Sequence, residues 1–184
     1  MTDSAANSRP TVALVHGAFA DSSGWNDVVG QLRAAGIAVQ AISNPLRGIT
    51  ADTAYVASAI RQIPGPVLAV GHSYGGAIIT NAAPKAGNVV GLVYVAAFAP
   101  DEGEILSDIE GGSKDSVLNT ALLQLQYPAG QDTETAVEFA IDPARFRDAF
   151  AADLPEEQAA VMAATQRPVA AAGFTAVSLA VIGG

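Results

Sequence analysis

The stretch VLAVGHSYGGAIIT, residues 67–80, constrains the fold more than any other part of this sequence. Apolar residues lead into GHSYG, which fits the pattern G-x-S-x-G, and a helix-like run follows. A serine on a sharp strand-to-helix turn has a strained backbone, and side chains in place of Gly71 and Gly75 would clash across that turn. The pattern predicts a nucleophile elbow that holds the hydroxyl of Ser73 above a sheet, at a helix N-terminus. A structural glycine-rich turn with an idle serine is the alternative.

Strand-like and helix-like segments alternate over the first hundred residues. Strands are predicted at 11–17, 37–43, 67–72 and 89–98, and helices at 21–36, 51–63 and 75–85. The strand segments are apolar throughout, which is typical of strands that carry helices on both faces. Strand and helix in alternation at this spacing predict βαβ units, and therefore an α/β fold with a parallel sheet over a core of residues 11–100.

The alternation stops at Asp101, and residues 101–168 are predicted to form a helical lid. Three helices are expected in it, at 115–125, 142–154 and 155–166. A short tail, residues 169–184, completes a single domain that spans residues 1–184. Within the tail, AVSLAVI at 176–182 is predicted to pair in parallel with the strand at 89–98, and a helical or frayed tail is the alternative.

Charge and composition exclude several classes of partner. The net charge of −9 argues against nucleic acid, and the longest low-charge run is too short to span a membrane. The polar N-terminus lacks the apolar stretch of a secretory signal, so a cytoplasmic location is expected. Fourteen of the eighteen acidic residues lie between Asp101 and Pro168, against four Lys or Arg. This acidity is expected to form a solvated surface, or else to disfavour anionic substrates.

No cofactor and no metal are predicted. The chain has no cysteine, so it can form neither a disulfide nor a thiolate metal site, and its two histidines match no metal-ligand spacing. Neither G-x-G-x-x-G nor G-x-x-x-x-G-K-[ST] occurs, so a nucleotide-binding interpretation of the same βαβ pattern lacks its chemistry. The expected partner is a small-molecule substrate.

A second motif, HGAFADSSGW at 16–25, follows the first predicted strand. Gly17 permits a tight turn, after which the backbone amide of Ala18 or Phe19 can point at an oxyanion formed on Ser73. The amide of Tyr74 would be the second donor.

VALVHGAFADSSGW and VLAVGHSYGG together resemble the α/β-hydrolase fold family, and most closely its small esterase-type members, which include plant methylesterase and hydroxynitrile-lyase relatives. The resemblance covers residues 11 to about 175. It implies that Ser73 is the nucleophile and that Ala18 and Tyr74 form the oxyanion hole. His16 and Gly17, and in the elbow Gly71, His72, Gly75 and Gly76, are then structural. The implied activity is hydrolysis of a small ester or related acyl substrate through a Ser73 acyl-enzyme.

The sequence departs from this family in its histidines. A serine nucleophile of this kind needs a histidine base and an acid, and in this fold both follow the serine in chain order. No histidine follows Ser73. His72 should point to the opposite side of the strand from Ser73, and His16 belongs to the first turn. Asp101 is the candidate acid, with a loop or N-cap charge as the alternative.

These departures predict a chain that lacks the C-terminal strands of the family and has little or no activity. A non-catalytic binding protein and a cyanohydrin lyase on the same fold are the alternative functions. If the tail leaves the edge of the strand at 89–98 bare, self-association through that edge is expected.

Overall fold

The apolar segments predicted as strands form a four-stranded parallel sheet. The computed structural model describes residues 9–113, 115–130 and 134–179. The strands of this main sheet are β1 (Thr11–Val15), β2 (Val39–Ile42), β3 (Val67–His72) and β4 (Val89–Val95). They are hydrogen-bonded in the order β2-β1-β3-β4, and each pair is parallel. The predicted α/β architecture is thus confirmed.

Helices cover both faces of the main sheet. α1 (Asn26–Ala34) lies on one face, where Leu32 packs with Trp25 and with apolar residues of β1. α2 (Ile49–Arg61) and α3 (Tyr74–Ala86) lie on the other face and share one buried cluster with the inward side chains of β1 and β3. This two-sided covering explains why the strands are mostly apolar rather than alternating.

The segment after β4 contains a small sheet as well as helices. Its elements are α4 (Leu106–Gly111), β5 (Leu122–Pro128), β6 (Thr135–Ile141), α5 (Phe146–Phe150), α6 (Glu156–Thr165), β7 (Val169–Ala170) and α7 (Ala172–Thr175). β5, β6 and β7 form an antiparallel sheet in that order. The helices predicted after residue 142 are present in shortened form as α5 and α6.

The prediction of a helix over 115–125 is wrong. Within it, Leu122 opens β5, and only the three residues Leu118–Thr120 form a short 3-10 helix. LLQLQ also fits a period of two, and all of β5 is paired with β6, with Leu122 opposite Ile141 and Leu123 opposite Ala140. Cross-strand pairing thus outweighs the weak local preference for helix.

Arg47, in the loop after β2, fastens the small sheet to the main sheet. Its guanidinium donates to the Glu138 carboxylate of β6 at 2.8 Å and to the Pro168 carbonyl at 2.7 Å. It also lies 4.5 Å from the ring centroid of Tyr127 on β5. Apolar residues of the lid segment, among them Leu106 and Phe146, belong to the same buried cluster as α2 and α3. The lid segment therefore shares the core of the sheet domain.

The predicted pairing of the tail with the strand at 89–98 is wrong for residues 176–179, and residues 180–182 lie outside the described residues. Val177 forms an antiparallel bridge with Ile105 instead, and the amide of Ser178 donates to the Glu104 carbonyl at 2.9 Å. Asn81 of α3 accepts from the Leu179 amide at 2.9 Å, so side-chain hydrogen bonds hold the tail against α3. Within the described ranges, the outer edge of β4 has no strand partner.

None of the helices in the described ranges is long and apolar enough to cross a membrane.

Candidate active site

Backbone strain marks the carboxyl edge of the main sheet. Four non-glycine residues in the described ranges have positive φ, and each follows one strand of this sheet: Phe19 (60°), Leu46 (62°), Ser73 (52°) and Ala96 (42°). Such strain persists only where the surroundings impose it, and it concentrates at functional sites. In α/β sheets of this type, ligands bind outside the carboxyl ends of the strands. This edge is therefore the candidate site.

Ser73 lies between β3 and α3, at the N-cap of the helix, with φ 52° and ψ −125°. Its side chain does not cap the helix, so the hydroxyl is not used to satisfy the first turn. The Ser73 carbonyl accepts from the amides of Gly76 at 2.9 Å and Phe98 at 3.1 Å. These bonds fix the strained turn both to its own helix and to the segment that follows β4.

The glycines of the two motifs allow backbones to approach closely. A Cβ on Gly75 would lie 2.8 Å from the His16 carbonyl oxygen and closer still to that of Val15. A Cβ on Gly71 would lie 2.6 Å from the Gly75 carbonyl oxygen, and one on Gly76 would lie 2.7 Å from the Ala97 Cβ. A Cβ on Gly17 would lie 2.7 Å from the Ser73 Cβ and 3.3 Å from its Oγ. The turn after β1 thus packs directly against the serine side chain.

The backbone amides expected to form an oxyanion hole have no acceptor. Among the described residues, neither a carbonyl nor a side chain accepts from the amides of Ala18, Phe19 or Tyr74. Tyr74 begins α3, where the first amides have no acceptor within the helix. All three residues are nearly or fully buried. Unpaired amides are rare in such positions unless a ligand or water receives them.

His16 is fully engaged with the backbone. Its Nε2 accepts from the Asn44 amide at 2.9 Å, so that nitrogen carries no proton, and its Nδ1 therefore donates to the Gly17 carbonyl at 2.9 Å. Burial lowers the pKa of His16, which keeps the ring neutral at pH 7. With both ring nitrogens occupied, His16 ties the turn after β1 to the loop after β2 and is not available to Ser73.

His72 lies on the α1 side of β3. Its ring meets the Trp25 indole edge-on, with 6.4 Å between centroids, while Tyr74 is buried on the α3 side. No hydrogen bond of its side chain is found among the described residues, and burial lowers its pKa. His72 and Ser73 line a common cavity, but the structure shows no contact by which the imidazole would take the serine proton.

Asp101 lies in the turn that precedes α4. Its amide donates to the Glu104 carboxylate at 2.7 Å, and the residue is exposed. Neither histidine bonds to its carboxylate in the described part of the chain. Among the described residues, the structure therefore brings Ser73, the turn that begins at Gly17 and the motif glycines together, but it does not join Asp101 or a histidine to Ser73 by a hydrogen bond.

Asp52 is a buried residue of this region that the sequence analysis did not single out. Its carboxylate accepts from the amides of Arg47 at 2.9 Å and Gly48 at 3.2 Å, and from the Tyr74 hydroxyl at 2.8 Å. Burial raises the pKa of Tyr74, so its hydroxyl remains a donor. Asp52 thereby anchors the residue that follows the serine. The available signal was an acidic residue on a face of α2 that is apolar apart from Asp52 and Thr53.

In the described part of the chain, cavities open along this edge. One of about 400 Å³ is lined by Ser73, both histidines, Trp25 and Phe150, and one of about 500 Å³ by Ser73, Ala96–Ala99 and part of α4. A third, of about 430 Å³, lies between Phe19 and α6. The charged residues among their linings are all acidic: Asp21, Asp27, Glu104 and Glu110. Within the described ranges, no cluster of side chains suited to a metal ion is found.

Comparison with known proteins agrees with this geometry. A sequence model of the alpha/beta hydrolase family matches residues 12–182. Similar solved structures include polyneuridine aldehyde esterase, with a TM-score of 0.74, 18% identity, and coverage of 94% of this chain and 75% of that one. A methylesterase from Arabidopsis matches with a TM-score of 0.73 and 19% identity, over 95% of this chain and 72% of that one. A pyrethroid hydrolase matches with a TM-score of 0.67 and 20% identity, over 95% of this chain and 73% of that one. No curated protein sequence matches significantly.

A parallel sheet that carries a strained serine at its carboxyl edge, beside a glycine turn from the neighbouring strand, defines the class of alpha/beta hydrolases. The match over most of the sequence places this chain in it: the protein belongs to the alpha/beta hydrolase family. The family resemblance inferred from the two motifs is thus confirmed.

Gly75→Ala tests the close approach at the elbow. The added methyl group would meet the carbonyl oxygens of Val15 and His16, which belong to backbone that cannot move aside, so we expect a loss of about 3 kcal/mol or more in the free energy of unfolding. Gly24→Ala is the matched control, since a Cβ there meets nothing within 4 Å. Urea unfolding followed by circular dichroism measures both. Equal stability of the two variants would contradict the packing described for the elbow.

The buried histidines predict a dependence of stability on pH. Burial lowers the folded-state pKa of His16 and of His72 below 6.5, so the unfolded chain binds protons that the folded chain does not. Stability is therefore complete above pH 6.5 and falls as the pH drops below it, by at most about 1.4 kcal/mol per pH unit for each histidine. Urea unfolding between about pH 5.5 and 7.5 measures this. In His72→Gln the slope should be shallower, and an unchanged slope would show that His72 titrates normally.

Proposed function

We propose that this protein is a serine hydrolase of the esterase type, in which Ser73 attacks the carbonyl carbon of a small ester. Two observations in the described part of the chain support the proposal: the amides of Ala18, Phe19 and Tyr74 have no acceptor there, and the hydroxyl of Ser73, at the strained turn, does not cap α3. An oxyanion on the attacked carbonyl supplies the acceptor that these buried amides lack.

The proposed reaction has two steps. The Ser73 oxygen loses its proton and bonds to the acyl carbon, while the carbonyl electrons move to the oxygen that the amides would hold. These electrons then re-form the carbonyl, the bond to the leaving oxygen breaks, and the alkoxide or phenoxide departs with the bonding pair and takes up a proton. Water then attacks the acyl-serine and releases the carboxylic acid. Two of the cavities reach Ser73, which provides room for an acyl group and a leaving group on different sides of it.

The proposed attack requires that a base removes the proton of the Ser73 hydroxyl. His16 is committed to Asn44 and Gly17, and His72 packs against Trp25, so neither histidine of the described residues is placed to take the proton, and in our proposal a base from solution takes it. Removing the base of a serine triad costs on the order of 10⁶ in kcat, and what remains is on the order of 10³–10⁴ over water. We therefore propose acylation of Ser73 with slow turnover.

The charge of the cavities points to neutral or cationic esters as substrates. Among the described residues, the linings of these cavities contain four acidic side chains and neither a lysine nor an arginine. Hydrogen bonds from Ser23 lower the pKa of Asp21, so this carboxylate is ionised at neutral pH. A carboxylate on the substrate would be repelled in these cavities. The names of the three structural relatives, two esterases and a pyrethroid hydrolase, are compatible with esters of this kind.

A non-catalytic binding protein is the second candidate. It is favoured by the engagement of both His16 ring nitrogens, since a cleft without a base holds a ligand as well as it would a substrate. Thermal stabilisation by an ester or ketone, with no covalent adduct on Ser73, would support this candidate.

Supplying a base from solution tests the serine chemistry. With p-nitrophenyl acetate, mass spectrometry should find a slowly formed acetyl group on Ser73, and imidazole should accelerate its formation by about tenfold, less than a positioned base achieves. With Ser73→Ala no adduct should form, and imidazole should release p-nitrophenol no faster than it does without protein. Ser58→Ala, an exposed serine on α2, serves as the matched control and should behave like the parent chain. Release of p-nitrophenol at equal rates by Ser73→Ala and the parent chain would refute the proposal.

The acidic lining predicts discrimination by charge. At low ionic strength, the anionic p-nitrophenyl hemisuccinate should acylate Ser73 at least about tenfold more slowly than the neutral p-nitrophenyl acetate. Added salt should reduce this difference in acylation rate. Glu110→Gln should narrow this difference in rate as well, because it removes one charge from a cavity that Ser73 lines, whereas Glu134→Gln removes an equal charge from a residue that lines none of the three cavities. Equal narrowing by both variants would assign the effect to net charge rather than to the cavity.

A further inference from the structure

The phenol ring of Tyr74 connects the residue after Ser73 to a buried carboxylate on a different helix. Tyr74 is fully buried, and its hydroxyl donates to Oδ2 of Asp52 at 2.8 Å. Asp52 lies in the first turn of α2 and is fully buried as well. This bond therefore ties the N-terminus of α3, where Tyr74 is the first residue, to the N-terminal turn of α2.

Capping of α2 explains only two of the three hydrogen bonds that Asp52 accepts. The bonds from the amides of Arg47 and Gly48, at 2.9 Å and 3.2 Å, satisfy backbone donors at the start of this helix. The bond from Tyr74 satisfies no donor of α2 or of the loop before it. Its effect is on α3, because it fixes the far end of the side chain with which that helix begins.

Contacts with α7 hold the same ring. The rings of Phe174 and Tyr74 lie 5.8 Å apart between centroids. A Cβ on Gly173 would lie 3.1 Å from the Tyr74 hydroxyl oxygen and 3.2 Å from two of its ring carbons, so α7 approaches the ring closely. A tyrosine side chain turns about only two torsion angles. Fixing both its ring and its hydroxyl therefore restricts where its backbone can lie.

The backbone amide of Tyr74 is the group whose position matters for the proposed chemistry. It directly follows Ser73 and has no acceptor among the described residues. A donor of this kind stabilises a transition state only if it already points to the place where the negative charge develops. A misplacement of about 1 Å can cost on the order of 10²-fold in rate. A rigid anchor on the side chain of the same residue meets this requirement.

We propose that Asp52 is a positioning residue of the oxyanion hole, which acts through the Tyr74 hydroxyl to fix the Tyr74 amide beside Ser73. The use of that amide rests on the proposed hydrolase function, whereas its position does not. Among the described residues, Asp52 is not one of those that line the cavities, so it acts without contact with a substrate. The Tyr74 hydroxyl keeps its proton throughout and serves only as the link.

Tyr74→Phe breaks this link while it keeps the ring, the amide and the two backbone bonds of Asp52. Acylation of Ser73 by p-nitrophenyl acetate, measured over a range of ester concentrations, should reach a limiting rate at least about fivefold lower than in the parent chain. The ester concentration that gives half of the limiting rate should change by less than about twofold, because the oxyanion exists in the transition state and not in the bound ester.

Tyr94→Phe is the matched control. It makes the same chemical change at a hydroxyl that bonds to the Thr80 hydroxyl at 2.8 Å, and it leaves the link between Tyr74 and Asp52 intact. Its limiting rate should equal that of the parent chain, and urea unfolding of both variants measures how much stability each loses. An equal fall in limiting rate in both variants would assign the effect to stability and would overturn the proposal, as would an unchanged limiting rate in Tyr74→Phe.

Nuclear magnetic resonance tests the position of the amide without any reaction. Asp52→Asn keeps the size of the side chain but places an NH₂ donor where the parent chain has only acceptors, so the amide resonance of Tyr74 should shift. In a Tyr74→Phe background, Asp52→Asn should leave the amide resonance at position 74 unchanged, because the hydroxyl that transmits the effect is absent. Equal shifts in both backgrounds would assign the effect to the loop that contains Arg47 and would overturn the proposal.

The two measurements separate this proposal from the proposed function. A parent chain that gains no acetyl group on Ser73 would refute the hydrolase, and the resonance at position 74 would still decide whether Asp52 fixes the amide. A Tyr74 amide resonance that does not respond to Asp52→Asn would overturn the positioning role even if Ser73 is acylated.

Discussion

The contact between two backbone turns is the constraint on which the rest of this structure depends. β1 and β3 are neighbours in the parallel sheet, so the turns that leave them lie side by side at its carboxyl edge. Gly75 approaches the carbonyls of Val15 and His16, and Gly17 approaches the Ser73 side chain, at distances that exclude a Cβ. Ala18 and Phe19, whose amides have no acceptor among the described residues, directly follow the glycine that contacts the serine. A single added methyl group would push apart the elements that compose the site.

Buried polar groups hold these turns in place, and the hydrogen bonds that do so occupy groups that could otherwise act as a base. The His16 ring forms hydrogen bonds to the backbone of Asn44 and Gly17. The Asp52 carboxylate accepts hydrogen bonds from the Tyr74 hydroxyl and from amides of the loop that contains Arg47. Each group satisfies backbone that would otherwise be buried without a partner. The same commitment makes His16 unable to take a proton from Ser73. For the serine chemistry that we propose, the described residues therefore offer free amides to an oxyanion but no histidine to Ser73.

The lid segment shows how tertiary contacts override local preference. Read alone, residues 115–125 carry leucines at spacings that fit a helix as well as a strand, and β6 decides between them by providing a full ladder of backbone partners to β5. Arg47 then joins that small sheet to the loop after β2 through Glu138, Pro168 and the ring of Tyr127. The same loop is held by Asp52, so the position of the small sheet is coupled to the residue that follows the serine.

The sequence by itself determined the parallel sheet, the covering helices, the strained serine and the family, because apolar runs, glycine positions and turn motifs act over a few neighbouring residues. It also determined that no histidine follows Ser73. Only the tertiary structure decided that residues 122–128 form a strand, that the described tail lies on α3 beside residues 103–105, and that Asp52 anchors Tyr74. These features rest on contacts between residues that are distant in sequence. Whether such a contact forms depends on which distant residue the fold places nearby, and a local sequence pattern does not identify that residue.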